Sequence, residues 1–185
     1  MTHLQVRSFF DLLLYYSGFT LIARMPKTTL RPATPEDNLF YYRVYASTRT
    51  DEMALVNWTA EQKDSFLWMQ FNAQREHYRL HYPQAEYQVI LQEGMSIGRL
   101  ITERSKNQLL IMDIALLPPY RHAGIGTALI QDLMAEAAQS CLPLVLRVEF
   151  FNPVIRLYTR LGFVKTREVN SVYHEMVWTP VVSPV

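Results

Sequence analysis

The sequence holds a single cysteine, Cys141, in 185 residues. One thiol closes no intrachain disulfide and builds no cysteine-based zinc site; it suits a reducing interior, so a cytoplasmic address and no metal are expected. The chain also lacks an excess of either charge, with 18 Lys and Arg against 17 Asp and Glu and a formal net charge of +1. That balance excludes the electrostatic footprint of a protein that wraps nucleic acid or lies on an anionic membrane, so any charged ligand must be met by local groups. Repeats, low-complexity tracts and charge blocks are missing too, and no linker divides the chain after Pro26. What remains is 49% hydrophobic residues in the length of one ordinary domain, enough for a continuous core.

The stretch Phe9 to Ala23 is rich in Phe, Leu and Tyr after a weakly basic start. It reads as a signal sequence, as an extra packed segment, or as an extension upstream of a start at Met25. Asp11 and Gly18 interrupt it, it falls short of the roughly 20 apolar residues of a membrane span, and no small-x-small cleavage site follows. Residues 1–25 are therefore set apart as an N-terminal extension of open role, and residues 26–185 are taken as the domain.

Leu30 to Ala33 is a short strand, followed by Thr34-Pro35-Glu36-Asp37, an N-cap, a first-turn proline and two acids favoured at a helix start. That helix is expected to run to about Thr48. Thr59 with Gln62 makes a capping box for a second helix reaching Tyr82, with Phe66, Met69, Ala73 and His77 at helical spacing. From Glu86 the period becomes two: Tyr87, Val89 and Leu91 alternate, Glu93-Gly94 supplies a turn, and Ile97 to Thr102 returns. Gln108 to Leu117 is a mostly apolar strand, expected to be covered on both faces. Helical spacing resumes with Ile125, Leu129, Leu133, Met134 and Ala137, and Leu144 to Val148 forms another apolar strand. A short helix opened by Asn152-Pro153 ends at Gly162, where a left-handed cap is natural, and Phe163 to Arg167 and Val172 to Trp178 close the chain as strands. The result is an α/β or α+β layer arrangement around one sheet.

The most informative segment runs from Ile114 through Pro118-Pro119-Tyr120-Arg121-His122-Ala123-Gly124-Ile125-Gly126-Thr127. A buried strand leads into a loop, and the loop into a helix. Gly124 and Gly126 let a pyrophosphate approach the backbone, unpaired N–H groups of the first turn can bind its charge, and Arg121 adds a cation. The plainer reading is a glycine-softened turn into an ordinary helix. A dinucleotide fold wants a third glycine where Leu129 stands, although Glu149 falls near the place of a ribose-binding acid. A P-loop wants Gly-Lys-Ser or Gly-Lys-Thr, which does not follow the glycines.

Arg121-His122-Ala123-Gly124-Ile125-Gly126 resembles the signature of the GNAT superfamily of acyl-CoA-dependent N-acyltransferases: a basic or Gln residue, two variable residues, then G-x-G. Leu30-Arg31-Pro32-Ala33-Thr34 resembles the usual first strand of that superfamily, and Asn152-Pro153 through Leu157-Tyr158-Thr159-Arg160-Leu161-Gly162-Phe163 its second hallmark segment. The resemblance implies a mixed central sheet of about seven strands flanked by about four helices and splayed between the fourth and fifth strands. It also implies acetyl-CoA as co-substrate, an amine acceptor, and the pairing as homodimers that related domains often show. Backbone of Ile114, Ala115 and Leu116 would hold the pantetheine arm, Arg121 and the amides of His122, Ala123, Gly124, Ile125, Gly126 and Thr127 the pyrophosphate. Asn152 matches a position that commonly touches the cofactor, and Tyr158 a tyrosine that often protonates the departing thiolate.

A protonated amine has no lone pair with which to attack a thioester, so a base or a water chain must deprotonate it. Asp113, on one strand face with Ala115 and Leu117, and Glu149, ending the neighbouring strand, are the carboxylates placed for binding or deprotonation. Asp113 reads equally as a structural acid, and Tyr158 equally as a core aromatic. His122 matters for its N–H more than its ring, and Cys141 lacks a His or Asp partner and reads as inert. The run from Trp58 to Tyr82 supplies core residues, with Trp58, Gln70 and His77 as candidates to line an acceptor pocket. The expected activity is ordered acetyl transfer to a primary amine of a small molecule; the rival readings are a non-catalytic acyl-CoA sensor and a dimerisation module without ligand.

Overall fold

The computed structural model describes residues 27–181; the readings of residues 1–25 as targeting sequence, packed segment or extension lie outside them. Within that span the strands are β1 (Thr28–Pro32), β2 (Glu86–Gln92), β3 (Met95–Arg104), β4 (Leu109–Leu116), β5 (Leu144–Glu149), β6 (Val164–Val169) and β7 (Tyr173–Trp178). The helices are α1 (Asn38–Thr48), α2 (Thr50–Ala54), α3 (Ala60–His81), α4 (Ile125–Gln139) and α5 (Ile155–Arg160). One sheet in the order β1-β2-β3-β4-β5-β7-β6 joins all seven strands, antiparallel everywhere except between β4 and β5. The mixed α/β sheet is the one expected.

Local chemistry accounts for most boundaries. Asp37 closes a capping box with Thr34, and Arg31 grips the same carboxylate with two bonds of 2.7 Å, holding it well below the usual carboxylate range. Thr59 and Gln62 cap α3 reciprocally at 3.3 and 2.9 Å, an arrangement worth about 1 kcal/mol. Glu93 and Gly94 take φ of 51 and 81°, the pairing of a type I′ hairpin turn, and Gly162 ends α5 at φ 93°.

Two helical details refine the sequence reading. Five α-helices are described rather than four, because Thr50–Ala54 forms a separate short helix after the chain breaks at Arg49 (φ −108, ψ 8). Five residues are too few to display a hydrophobic period. On α3 the buried positions are Leu67 and Phe71, with Gln74 and Tyr78 continuing that face, whereas Met69, Ala73 and His77 are exposed. An aromatic-rich helix carries two stripes of equal spacing, offset by one or two positions; the one that wins sets Phe71 against Tyr42 and Tyr45.

The two faces of the sheet are covered separately. Aliphatic side chains of β2 to β5 pack with Ile125, Leu129, Ile130, Leu133 and Ala137 of α4 and with Tyr158 of α5. Tyr41, Tyr42 and Tyr45 of α1 and Leu67 and Phe71 of α3 cover the opposite face, over Val89 and Ile101.

The sheet opens between its parallel strands. β4 and β5 pair only through Leu109↔Leu144, Leu110↔Val145 and Ile111↔Leu146, although β4 continues to Leu116 and β5 to Glu149. Opening begins at a β-bulge: Thr102 faces Ile111 and Ile101 faces Asp113, so Met112 is the extra residue. A bulge sharpens the local twist and turns one strand away from its neighbour, here by β3 keeping its hold on β4 while β5 follows β7. The expected splay between the fourth and fifth strands is present.

Candidate active site

The loop that follows β4 exposes its backbone. His122 and Gly124 both take left-handed conformations, φ 62 and 80°, which turn successive amides toward one side before α4 begins. Ala128 N–H bonds the Gly124 carbonyl, so α4's hydrogen bonding starts there. The amides from His122 to Thr127 have no backbone acceptor among the described residues. A Cβ added at Gly126 meets nothing within 4 Å. A helix start with free N–H groups and open space before it fits a diphosphate.

Arg121 points elsewhere. Its Nε donates to the Leu116 carbonyl (2.8 Å), and Nη2 donates to the carbonyl (2.9 Å) and hydroxyl (3.0 Å) of Ser47 in α1. The guanidinium is a strut between β4 and α1 rather than a free cation over the loop, held by carbonyls at element ends, of which Ser47's also accepts from Thr50 Oγ1 (3.3 Å).

Along β4, Leu117 N–H donates to Ile97 O (2.9 Å). Antiparallel alternation then turns the backbone groups of Asp113 and Ala115 toward β3 and those of Ile114 and Leu116 into the gap. Of the expected pantetheine-binding backbone, Ile114 and Leu116 therefore face the opening and Ala115 does not. Tyr78 Oη donates to the Met112 carbonyl at the bulge (3.3 Å).

The three candidate catalytic side chains are in different states: Asp113 and Glu149 lie on the strand ends beyond the last β4–β5 pair, and Tyr158 lies on α5. Tyr158 is 7% exposed, packs on Phe163, and its hydroxyl has no hydrogen-bond partner among the described residues. Burial, with Asp113's charge adding to it, pushes the phenol up to about 12. Asp113 is held bidentately by Arg99, at 3.2 and 2.7 Å. Arg99 is 2% exposed, donates also to Tyr41 O and Gln74 Oε1, and lies against the rings of Tyr41, Tyr45 and Phe71. Glu149 is half-buried at the end of β5, with Oε1 3.3 Å from Arg49 Nη1. The same nitrogen bonds Glu52 at 2.8 Å, and the Arg49 guanidinium lies 5.7 Å from the Tyr45 ring centre. Asn152 uses its Oδ1 to accept from Val154 N–H (3.0 Å), capping the turn into α5, and its amide N–H groups have no partner among the described residues.

The family model described as an acetyltransferase (GNAT) domain matches residues 83–165, the span that contains β2 to β5, the exposed loop and Tyr158. Over this segment the chain is similar to GNAT acetyltransferases. No curated protein matches its sequence. Among solved structures it is similar to the PaiA N-acetyltransferase of Thermoplasma acidophilum in complex with coenzyme A, with a TM-score of 0.62 at 16% identity over 83% of this chain and 99% of that one. It is also similar to the ribosomal-protein-S18-alanine N-acetyltransferase of Escherichia coli (TM-score 0.55, 18% identity, 85% and 97% covered). A GNAT family acetyltransferase of Elizabethkingia anophelis with acetyl-CoA bound is a third (TM-score 0.55, 15% identity, 82% and 97% covered). At these identities the likeness establishes the shared fold.

Four residues that sequence reading passed over sit around the gap: Ser47, Arg49, Arg99 and Tyr173. Burial raises Tyr173, with Glu149's charge contributing. Only Arg99 offered a signal, as an arginine in an otherwise apolar strand stretch, Ile97 to Ile101. Trp58 pairs edge-on with Phe66 and is 44% exposed, Gln70 and His77 lie on the solvent side of α3, and Cys141 is exposed just past α4. No group of three or more His, Cys, Asp or Glu side chains placed for a metal occurs among the described residues. None of the described helices is long and apolar enough to cross a membrane.

Proposed function

We propose that the protein transfers the acetyl group of acetyl-CoA to a primary amine of a small-molecule acceptor, by direct attack and in the reducing cytoplasm that a lone cysteine suits. The observation that carries this reading is the set of unpartnered amides from His122 to Thr127 opening beside a gap whose wall holds an unpartnered, buried phenol. Those amides would grip the diphosphate; the backbone of Ile114 and the N–H of Leu116 would orient the pantetheine arm, with the free amide of Asn152 beside it. The thioester would then lie between β4 and β5.

Glu149 is the better proton acceptor of the two carboxylates. Arg99 occupies both oxygens of Asp113, whereas a single nitrogen touches one oxygen of Glu149. The acceptor's ammonium passes a proton to Glu149, directly or through water; the freed amine attacks the carbonyl, the C–S bond breaks, the thiolate takes the proton of Tyr158, and the second proton of the acylated nitrogen returns to the phenolate through water. A phenol held up to about 12 is protonated at neutral pH, and the same shift makes it a weaker acid, so it gives the proton only once full thiolate charge has formed.

One observation favours a second reading, a non-catalytic acyl-CoA sensor: both carboxylates are ion-paired. Tyr158→Phe separates the two. For the enzyme, turnover falls at least about 100-fold while acetyl-CoA affinity stays within about twofold. CoA release with an amine panel, read beside the thermal shift with acetyl-CoA, tests the proposal itself. A shift without release from any amine supports the sensor, and neither signal sinks both.

A further inference from the structure

The C-terminal turn of α1 crosses the mouth of the gap, tied to each diverging strand by one arginine. Arg121 joins Ser47 to the end of β4, and Arg49 joins the break after α1 to Glu149 at the end of β5. The two ties are unequal. Arg121 makes bonds of 2.8 to 3.0 Å to neutral oxygens on both sides. Arg49 spends one nitrogen on two carboxylates, at 2.8 and 3.3 Å; Nη2 and Nε make no hydrogen bond among the described residues, and its side chain is 26% exposed.

Two carboxylates and a tyrosine ring surrounding one cation form the set that binds an alkylammonium. The charges around Arg49 sum to −1 with the guanidinium in place and −2 without it, so the corner attracts a cation and repels a carboxylate. Behind it lies Tyr173, across the ladder from Glu149. We infer that Arg49 is the specificity residue of the acceptor site: it stands where the acceptor's ammonium goes, and the enzyme selects alkylamines that carry no carboxylate beside the amine. The inference rests on the acetyltransferase reading and names its substrate class. On binding, the ammonium replaces Arg49 against Glu149 and Tyr45, and the guanidinium swings toward Glu52 and solvent without loosening the Arg121 tie.

Methylguanidinium tests this without an assumed acceptor. In Arg49→Ala, saturated with CoA, saturation-transfer NMR should detect it bound with a dissociation constant on the order of 10 mM, a partly exposed ion pair plus one cation–π contact. Wild type and Arg49→Ala/Glu149→Gln should give no signal. Arg49→Gln serves as a second variant, and CoA binding by each variant reports that it is folded. A CoA-bound Arg49 variant that ignores methylguanidinium overturns the inference alone; a wild type that does not bind CoA overturns the acetyltransferase reading instead. Kinetics give the second arm with a matched pair, phenethylamine and phenylalanine. The amine should be favoured at least about tenfold in kcat/KM, and its KM should fall about threefold to fivefold in Arg49→Ala, the range a partly exposed ion pair is worth. A higher KM in that variant, or preference for the amino acid, overturns the assignment.

Discussion

The two faces of the sheet are built from different chemistry. Below it, aliphatic side chains pack under α4 and α5, and the feature that faces a ligand is main chain: a run of amides and a glycine with open space. Above it, tyrosines and Phe71 surround a buried arginine, and what faces the gap is a set of ion pairs. In the proposed reaction the co-substrate would be served by backbone groups that every sequence has, positioned by local conformation. The acceptor would be served by side chains, positioned by packing.

Breaking the upper face should have the largest effect. Arg99→Met leaves Asp113 without its partner in a nearly dry setting, and stability should fall by about 3 to 5 kcal/mol in urea unfolding. Arg99→Met with Asp113→Leu removes both charges and should recover most of that loss. A single variant within about 1 kcal/mol of wild type would show that Asp113 reaches water and that the pair is not structural.

On the lower face, Gly126→Val puts a side chain into empty space, so unfolding should shift by no more than about 0.5 kcal/mol. The same side chain fills the approach to the amides, and acetyl-CoA affinity measured by calorimetry should drop about 100-fold, roughly 2.7 kcal/mol. Wild-type affinity in that variant would move the diphosphate away from this loop. Read side by side, the two substitutions should separate stability from binding: one face loses the first, the other the second.

The smallest effect belongs to the entry into α1. Asp37→Asn should cost about 1 kcal/mol near neutral pH. Asp37 is held below its ordinary value by Arg31, so its contribution is present above the unfolded carboxylate pKa, about 3.9, and is lost as pH falls below that. Wild type and variant should therefore draw together in acid-unfolding curves as pH falls below about 3.9, the difference closing only well under the usual carboxylate range. Curves that stay parallel would show that the carboxylate's charge contributes nothing.

The lower face was legible in the sequence to a depth the upper face was not. The exposed loop is six neighbouring residues, Arg121 to Gly126, and its glycines state their conformational demand directly; Asn152 to Gly162 is equally local. Arg49 and Glu149 lie a hundred positions apart, and Ser47 and Arg121 seventy-four, with nothing in either neighbourhood to announce the pairing. Asp113 illustrates the limit. Strand alternation placed it on a face but left open whether it would meet a substrate or a partner, and Arg99, fourteen residues away across a bulged ladder, took both its oxygens. Arg121 is the same case reversed: its position in the motif was plain, and the direction of its side chain was not.

By itself the sequence determined the strand order and every described helix but α2, the caps at Thr34 and Thr59, the turns at Glu93-Gly94 and Gly162, and the loop that begins at Arg121, because period, cap chemistry and backbone freedom act over a few residues. Only the tertiary structure decided which stripe of α3 faces the sheet, where β4 leaves β5, and which cation each carboxylate meets. Those outcomes depend on distances between segments far apart in the chain, and ion pairs form with whichever partner the packed backbone brings within reach.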